Sequence, residues 1–191
     1  MTAKIILASA SPRRQELLEQ IRVSYEVVVA PVDEAPLPDE DPIAYVQRLA
    51  REKTRTVQTM AKAALPILGA DTIVVADNQI LGKPQDKAHG LAMLRRLSGR
   101  SHDVVTAVCL LHSGKLLQAL SQSKVYFRSL SENEILAYWE TGEPRDKAGA
   151  YAIQGLGAIF VQRLEGSFSG VMGLPLYETA QLLRQIGIEV L

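Results

Sequence analysis

One carboxylate inside an otherwise apolar strand is the residue best placed to do chemistry. Asp71 stands within Ile67-Leu68-Gly69-Ala70-Asp71-Thr72-Ile73-Val74-Val75. Burying an unpaired charge is costly, so Asp71 is expected to face a cleft where a cation, a metal ion or a water chain compensates it; the alternative is a surface position on an edge strand. Glu34, in Val32-Asp33-Glu34, is a second candidate carboxylate, although its loop is acidic throughout and a solvated turn would have the same composition. Two lysines are the remaining cations of interest, although on composition alone a lone lysine is usually a solvated one. Lys53 lies in the helical stretch Ala50-Arg51-Glu52-Lys53, and Lys83 stands on Gly82-Lys83-Pro84, a turn stiffened by proline just beyond the strand that carries Asp71.

A second constellation suits an anion. In Leu7-Ala8-Ser9-Ala10-Ser11-Pro12-Arg13-Arg14-Gln15-Glu16-Leu17-Leu18 an apolar strand breaks into a small-residue turn and restarts as a helix. Ser11 has N-cap chemistry, and Pro12 suits the first helical position because its missing N–H would be unpaired there. Backbone N–H groups and the positive end of the helix dipole point out of the turn, Arg13 and Arg14 add charge, and Ser9 and Ser11 add hydroxyls. Phosphate is the natural guest, and an ordinary capped surface helix with solvated arginines is the competing interpretation.

The scattered histidines His89, His102 and His112 and the single Cys109 form no zinc constellation. Any metal would be a hard one, Mg²⁺ or Mn²⁺, held by carboxylates and phosphate oxygens. Cys109 sits in an apolar strand as an inert thiol. No P-loop and no Gly-x-Gly-x-x-Gly strand-to-helix turn is present, since Gly155-Leu156-Gly157 leads into a strand instead. With 21 basic and 21 acidic residues among 191, the overall balance does not suggest nucleic acid or an anionic membrane as a partner. The longest apolar runs are strand-sized and the N-terminus lacks signal-peptide zones, which leads to the expectation of a cytoplasmic protein.

These residues must be positioned by a mixed succession of elements. Strands are expected at Lys4 to Ala8 and Tyr25 to Ala30, the first helix at Pro12 to Gln20, and an exposed, mobile, proline-rich loop from Pro31 to Asp41. Asp41 and Pro42 start a long helix that ends before Pro66, with Ile43, Val46, Leu49, Ala50, Val57, Met60, Ala61 and Ala64 as its apolar stripe. Ile67 to Ala76 and Gln79 to Leu81 form a hairpin about Asp77-Asn78, and Asp86 caps a helix closed by Gly99. A second hairpin pairs Val104 to Leu111 with Leu116 to Phe127 about Ser113-Gly114; Ser131 and Glu134 make a capping box for a helix through Trp139. After the glycine-rich Asp146 to Gly155 come a strand at Ala158 to Val161 and a helix from Pro175 to Ile186, stopped by Gly187. The pattern predicts an α/β fold with a mixed sheet, without internal repeats or linkers.

Five motifs in order, Ser9 to Leu18, Gly69-Ala70-Asp71-Thr72, Gly82-Lys83-Pro84, Asp146-Lys147-Ala148-Gly149-Ala150-Tyr151 and Gly173-Leu174-Pro175-Leu176, resemble the Maf family of nucleoside triphosphate pyrophosphatases. The resemblance covers nearly the whole chain. It implies one bilobed domain over residues 1–191, a long twisted mixed sheet flanked by helices with a central cleft as in inosine triphosphate pyrophosphatases, and a homodimer. It also implies hydrolysis of a nucleoside triphosphate between the α and β phosphates with a divalent cation. Asp71 then aligns with the family's proton acceptor and Glu34 with a metal-holding carboxylate, while Ser9, Arg13, Arg14, Lys53 and Lys83 fit the triphosphate. Positions Arg13, Thr72 and Gln154 differ between family subgroups. Here they resemble the subgroup acting on dTTP and UTP and not the one acting on 7-methyl-GTP. The Gln154 amide can both donate to and accept from the imide edge of uracil or thymine. Ser169-Gly170-Val171-Met172 departs from the run often seen in relatives and is expected beside the site. Two competing readings are an enzyme that removes damaged purine triphosphates and a non-catalytic nucleotide-binding regulator of cell division and septum formation.

Overall fold

A computed structural model describes residues 4–29, 31–61 and 65–191. Strand β1 (Ile5–Leu7) is wholly buried and pairs in parallel with both β2 (Tyr25–Val27) and β3 (Ile67–Ala76), with Ile5 opposite Tyr25 and Ile6 opposite Ile67. Parallel pairing needs crossovers, which α1 (Pro12–Gln20) and α2 (Pro42–Ala61) supply. β3 turns back into β4 (Gln79–Leu81) through Asp77 and Asn78, both at positive φ as a tight hairpin requires. α3 (Lys87–Leu97) follows, with the Asp86 side chain accepting from His89 N at its cap. Strands β5 (Ser101–His112) and β6 (Lys115–Phe127) turn at Ser113-Gly114, and α4 (Glu132–Glu140) carries the expected Ser131/Glu134 capping box. The chain ends through β7 (Val161–Glu165), α5 (Phe168–Met172) and α6 (Leu176–Arg184). The sheet is mixed and seven-stranded, in the order β2-β1-β3-β5-β6-β7, with β4 on β3. No helix among the described residues is long and apolar enough to cross a membrane.

Several boundaries differ from expectation. β2 ends at Val27, and Ala30, like Ala64 of the proposed helix stripe, lies outside the described residues. Ile43 and Met60 occupy the terminal turns of α2 and are exposed, whereas Tyr45 and Thr54 join its buried face. The expected strand at Ala158 to Val161 is mostly a 3-10 turn, Leu156–Phe160, so that β7 begins at Val161. Its start is crowded: a Cβ on Gly157 would lie 2.7 Å from Tyr138 Oη and 2.8 Å from the Ala152 carbonyl oxygen. α5 occupies the run after Gly166-Ser167, where no helix was expected, and α6 is shorter at both ends than the sequence suggested.

The described chain falls into two compact units. One comprises Met1–Asp71, Thr106–Ser121 and Gly173–Leu191, and part of its core is Ile6, Ala8, Val57, Ile67 and Leu111. The other comprises Thr72–Val105 and Gln122–Met172. In this second unit Gly90 of α3 lets the ring of Trp139 on α4 come so close that an added Cβ would sit 2.0 Å from it. Phe127, Tyr151 and His102 pack edge to face there, and Phe160 meets Phe127 and Tyr138 in the same manner.

His102 Nε2 lies 2.8 Å from Tyr151 Oη, while its Nδ1 has no hydrogen-bond partner among the described residues. Burial therefore pushes the imidazole down from its ordinary 6.5 to about 4. The unfolded chain takes up this proton as the pH falls through 6.5, and the folded protein resists it until about 4. The resulting stabilisation is complete above pH 6.5 and is lost progressively below it. His102→Asn is expected to remove about 3 kcal/mol of that acid-side loss, measured as denaturant unfolding free energies at a series of pH values.

Candidate active site

The first unit brings Asp71, Lys53 and Glu34 together. Lys53 Nζ lies 2.6 Å from Asp71 Oδ1 and 2.6 Å from Glu34 Oε1. Asp71 is only 7% exposed, so it is a buried carboxylate with its partner beside it and not an edge-strand surface residue. Burial raises its pKa, although Lys53 and then Arg14 pull the other way.

The helix must approach the strand closely for this contact. Gly69 makes that possible: a Cβ there would lie 2.2 Å from Thr54 Oγ1 and 3.0 Å from the Ala50 carbonyl oxygen. Thr54 adjoins Lys53 and bonds the Ala50 carbonyl through its hydroxyl at 2.7 Å. Gly69 and Asp71 are two residues apart and so share a face of the strand. A side chain at Gly69 would push α2 away and draw Lys53 off the carboxylate.

Glu34 comes from the proline-rich loop, which was expected to be exposed and mobile. It is exposed, yet α2 ties it down. Tyr45 Oη donates to the Glu34 carbonyl at 2.7 Å, and Arg48 donates to the Ala35 carbonyl at 3.1 Å and to both Glu40 carboxylate oxygens at 2.7 Å. The hydrogen bonds from Arg48 hold Glu40 down at about 2. Burial, with the charges of Asp71 and Glu34, pushes Tyr45 up to about 12, so it stays a neutral donor. Tyr45 and Arg48 were not singled out in the sequence; their spacing of three residues on one helix face was the available signal.

The helix mouth is built differently from the expectation. Pro12 does open α1, but the Ser11 side chain makes no capping hydrogen bond. Ser9 takes over the local role, its Oγ accepting from Ser11 N at 3.2 Å and from Arg14 Nη1 at 3.0 Å. Arg14 is buried and also donates from Nε to the Gly173 carbonyl at 2.8 Å, so it straps α1 to the segment before α6. Burial lowers its pKa, and Asp71 partly restores it. Arg13 is half-buried beside it.

The second unit holds the other candidates. Thr72 follows Asp71 along β3 and is half-buried, whereas Lys83 and Gln154 are exposed. Gly149 N donates to the Gly82 carbonyl at 3.1 Å, which joins the Lys83 turn to the glycine-rich segment after Asp146. Gly149 has φ +69°, and a Cβ there would touch Val74 at 3.0 Å, so both conformation and space require glycine.

No group of three or more His, Cys, Asp or Glu side chains suited to a metal occurs among the described residues. Asp71 and Glu34 offer hard carboxylate oxygens, the donor type a small divalent cation takes, and both are held by Lys53 Nζ.

In this α/β protein a mixed sheet carries a buried aspartate clasped to a helix lysine, beside an arginine-bearing helix mouth. Residues 4–186 match the family model described as Maf-like protein, and the chain belongs to the Maf family. It is 55% identical over 185 residues to a dTTP/UTP pyrophosphatase of Methylococcus capsulatus, covering 97% of this chain and 92% of that one. Proteins of the same name from Chromobacterium violaceum and Neisseria meningitidis are 49% and 48% identical over 191 residues, covering 98% and 96% of this chain and 96% and 94% of theirs. Among solved structures, a nucleoside-triphosphatase/dITP/XTP pyrophosphatase from Mycobacterium abscessus is similar with a TM-score of 0.41 at 18% identity, over 66% of this chain and 74% of that one.

Gly69→Ala is expected to destabilise the protein by about 1–3 kcal/mol through overpacking against Thr54 and Ala50. Thr54→Ala in the same chain should recover part of that loss, because it removes the nearest clashing atom; unfolding of the two single variants and the double variant measures the coupling.

Proposed function

We propose that the protein hydrolyses nucleoside triphosphates, dTTP and UTP foremost, to the monophosphate and pyrophosphate. The observation carrying this reading is the near-full-length similarity to dTTP/UTP pyrophosphatases at 55% identity. The clasp of Lys53 on Asp71 and Glu34 supports the assignment of roles.

A water oxygen attacks the α-phosphorus while the bond to the bridging oxygen breaks, its electron pair leaving with pyrophosphate. Asp71 accepts the water proton. An ordinary aspartate titrates near about 3.9 and is a weak base at neutral pH, so the upward push from burial favours this role. Asp71 and Glu34 would hold a divalent cation such as Mg²⁺ or Mn²⁺, which would supply charge neutralisation and acidify the attacking water. Lys53 holds Asp71 in place before substrate arrives and offsets phosphate charge afterwards. Arg13, Lys83 and the Ser9 hydroxyl bind phosphate oxygens, with Arg14 contributing its charge from a fixed position. Thr72 and Gln154 contact the nucleoside, Gln154 through the imide edge of the pyrimidine. We take the 191 residues to act as one catalytic domain, in a cytoplasmic homodimer.

Pyrophosphate release from dTTP, UTP, CTP, GTP, ITP and 7-methyl-GTP with Mg²⁺ or Mn²⁺ tests the reading. Turnover is expected to be highest with dTTP and UTP and to fall by roughly 10²–10⁴ in Asp71→Asn. Absence of release from every nucleotide would sink it.

A further inference from the structure

Gln154 lies on a short turn whose backbone is held on both sides by one pair of side chains. Before it, Ala152 N donates to Tyr138 Oη at 3.1 Å. After it, Leu156 N donates to Glu143 Oε2 at 2.9 Å and Gly157 N to Glu143 Oε1 at 3.0 Å. The two holders are themselves joined, since Tyr138 Oη donates to Glu143 Oε1 at 2.6 Å. Within the turn, Gly155 N donates to the Ala152 carbonyl at 3.2 Å.

The fit leaves no slack. A Cβ on Gly155 would lie 2.2 Å from Glu143 Oε2, so the carboxylate rests directly against the main chain next to Gln154. Tyr138 is anchored in the core with its ring edge-on to Phe160, centroids 4.9 Å apart. Burial alone would raise the Glu143 pKa, but the hydrogen bonds from Tyr138, Gly157 and Leu156 outweigh it and keep the group below the ordinary carboxylate range. Glu143 is therefore an ionised acceptor for two backbone N–H groups at neutral pH.

We infer that Glu143 and Tyr138 are positioning residues for nucleobase selection, fixing the backbone around Gln154 so that its amide meets a pyrimidine imide edge at one place. This rests on the proposed role of Gln154. An amide can pair with many base edges if its backbone is free to shift, so discrimination depends on holding it still. Neither residue touches substrate; both act through the turn that carries Gln154.

The test compares kcat/KM for UTP and CTP, which share the ribose and the ring and differ in the imide edge, in wild type, Gln154→Ala, Glu143→Gln, Tyr138→Phe and Glu143→Gln/Gln154→Ala. Glu143→Gln keeps the shape but replaces one acceptor oxygen by a donor, and Tyr138→Phe keeps the ring and removes the hydroxyl. Each is expected to lower the UTP:CTP ratio about tenfold, chiefly through KM for UTP, and Glu143→Gln should lower it no further once Gln154 is alanine. An equal fall for both nucleotides, an additive effect in the double variant, or loss of folding in both single variants at Glu143 and Tyr138 would overturn the inference and leave the pair a stabilising one. If wild type shows no preference, or Gln154→Ala leaves the ratio unchanged, the role of Gln154 fails first, and that failure is visible without either positioning variant.

Discussion

The burial of the Asp71 carboxylate constrains everything around it. A charge at 7% exposure inside an apolar strand has to be offset within contact distance, and Lys53 does this from the neighbouring helix. The helix can come that close only because Gly69 presents no side chain to Thr54 and Ala50. The same helix uses Tyr45 and Arg48 to hold the loop bearing Glu34, so one rigid element sets both carboxylates and their shared cation. Burial pushes the Asp71 carboxyl up, and Lys53 and Arg14 pull it back.

In the second unit close approach does most of the positioning, and one ionised carboxylate, Glu143, completes it. Its exposed candidates, Lys83 and Gln154, stand on turns, and those turns are fixed by backbone contacts to an aromatic and aliphatic core. Gly149 links the Lys83 turn to the glycine-rich segment, and Gly155 and Gly157 let the Gln154 turn lie against Glu143 and Tyr138. The long side chains that reach outward are mobile by nature, and the turns beneath them are the part that the fold can hold still.

The helix mouth shows how one residue type divides into two roles. Arg13 and Arg14 are adjacent and chemically equivalent in sequence, yet Arg14 is buried between the Ser9 hydroxyl and the Gly173 carbonyl while Arg13 keeps partial exposure. Arg14 thus serves the packing of α1 and adds charge from a fixed position. The Ser9 hydroxyl, oriented by two donors, retains its own proton to give.

Local pattern was sufficient for much of this chain. Both hairpin turns, the Asp86 and Ser131 caps, the mixed sheet and the unusual status of Asp71 followed from residue type and spacing, because turn geometry, capping and the cost of a buried charge act within a few residues. Partnerships across the chain were another matter. That Lys53 reaches Asp71, that Tyr45 and Arg48 hold the acidic loop, that Ser11 does not cap α1 and that Glu143 grips the Gln154 turn all depend on which distant surfaces pack together. The same reason explains why Ala158 to Phe160 lie in a 3-10 turn where an apolar run suggested a strand. Periodicity records which face a residue presents, but only tertiary packing decides what that face meets.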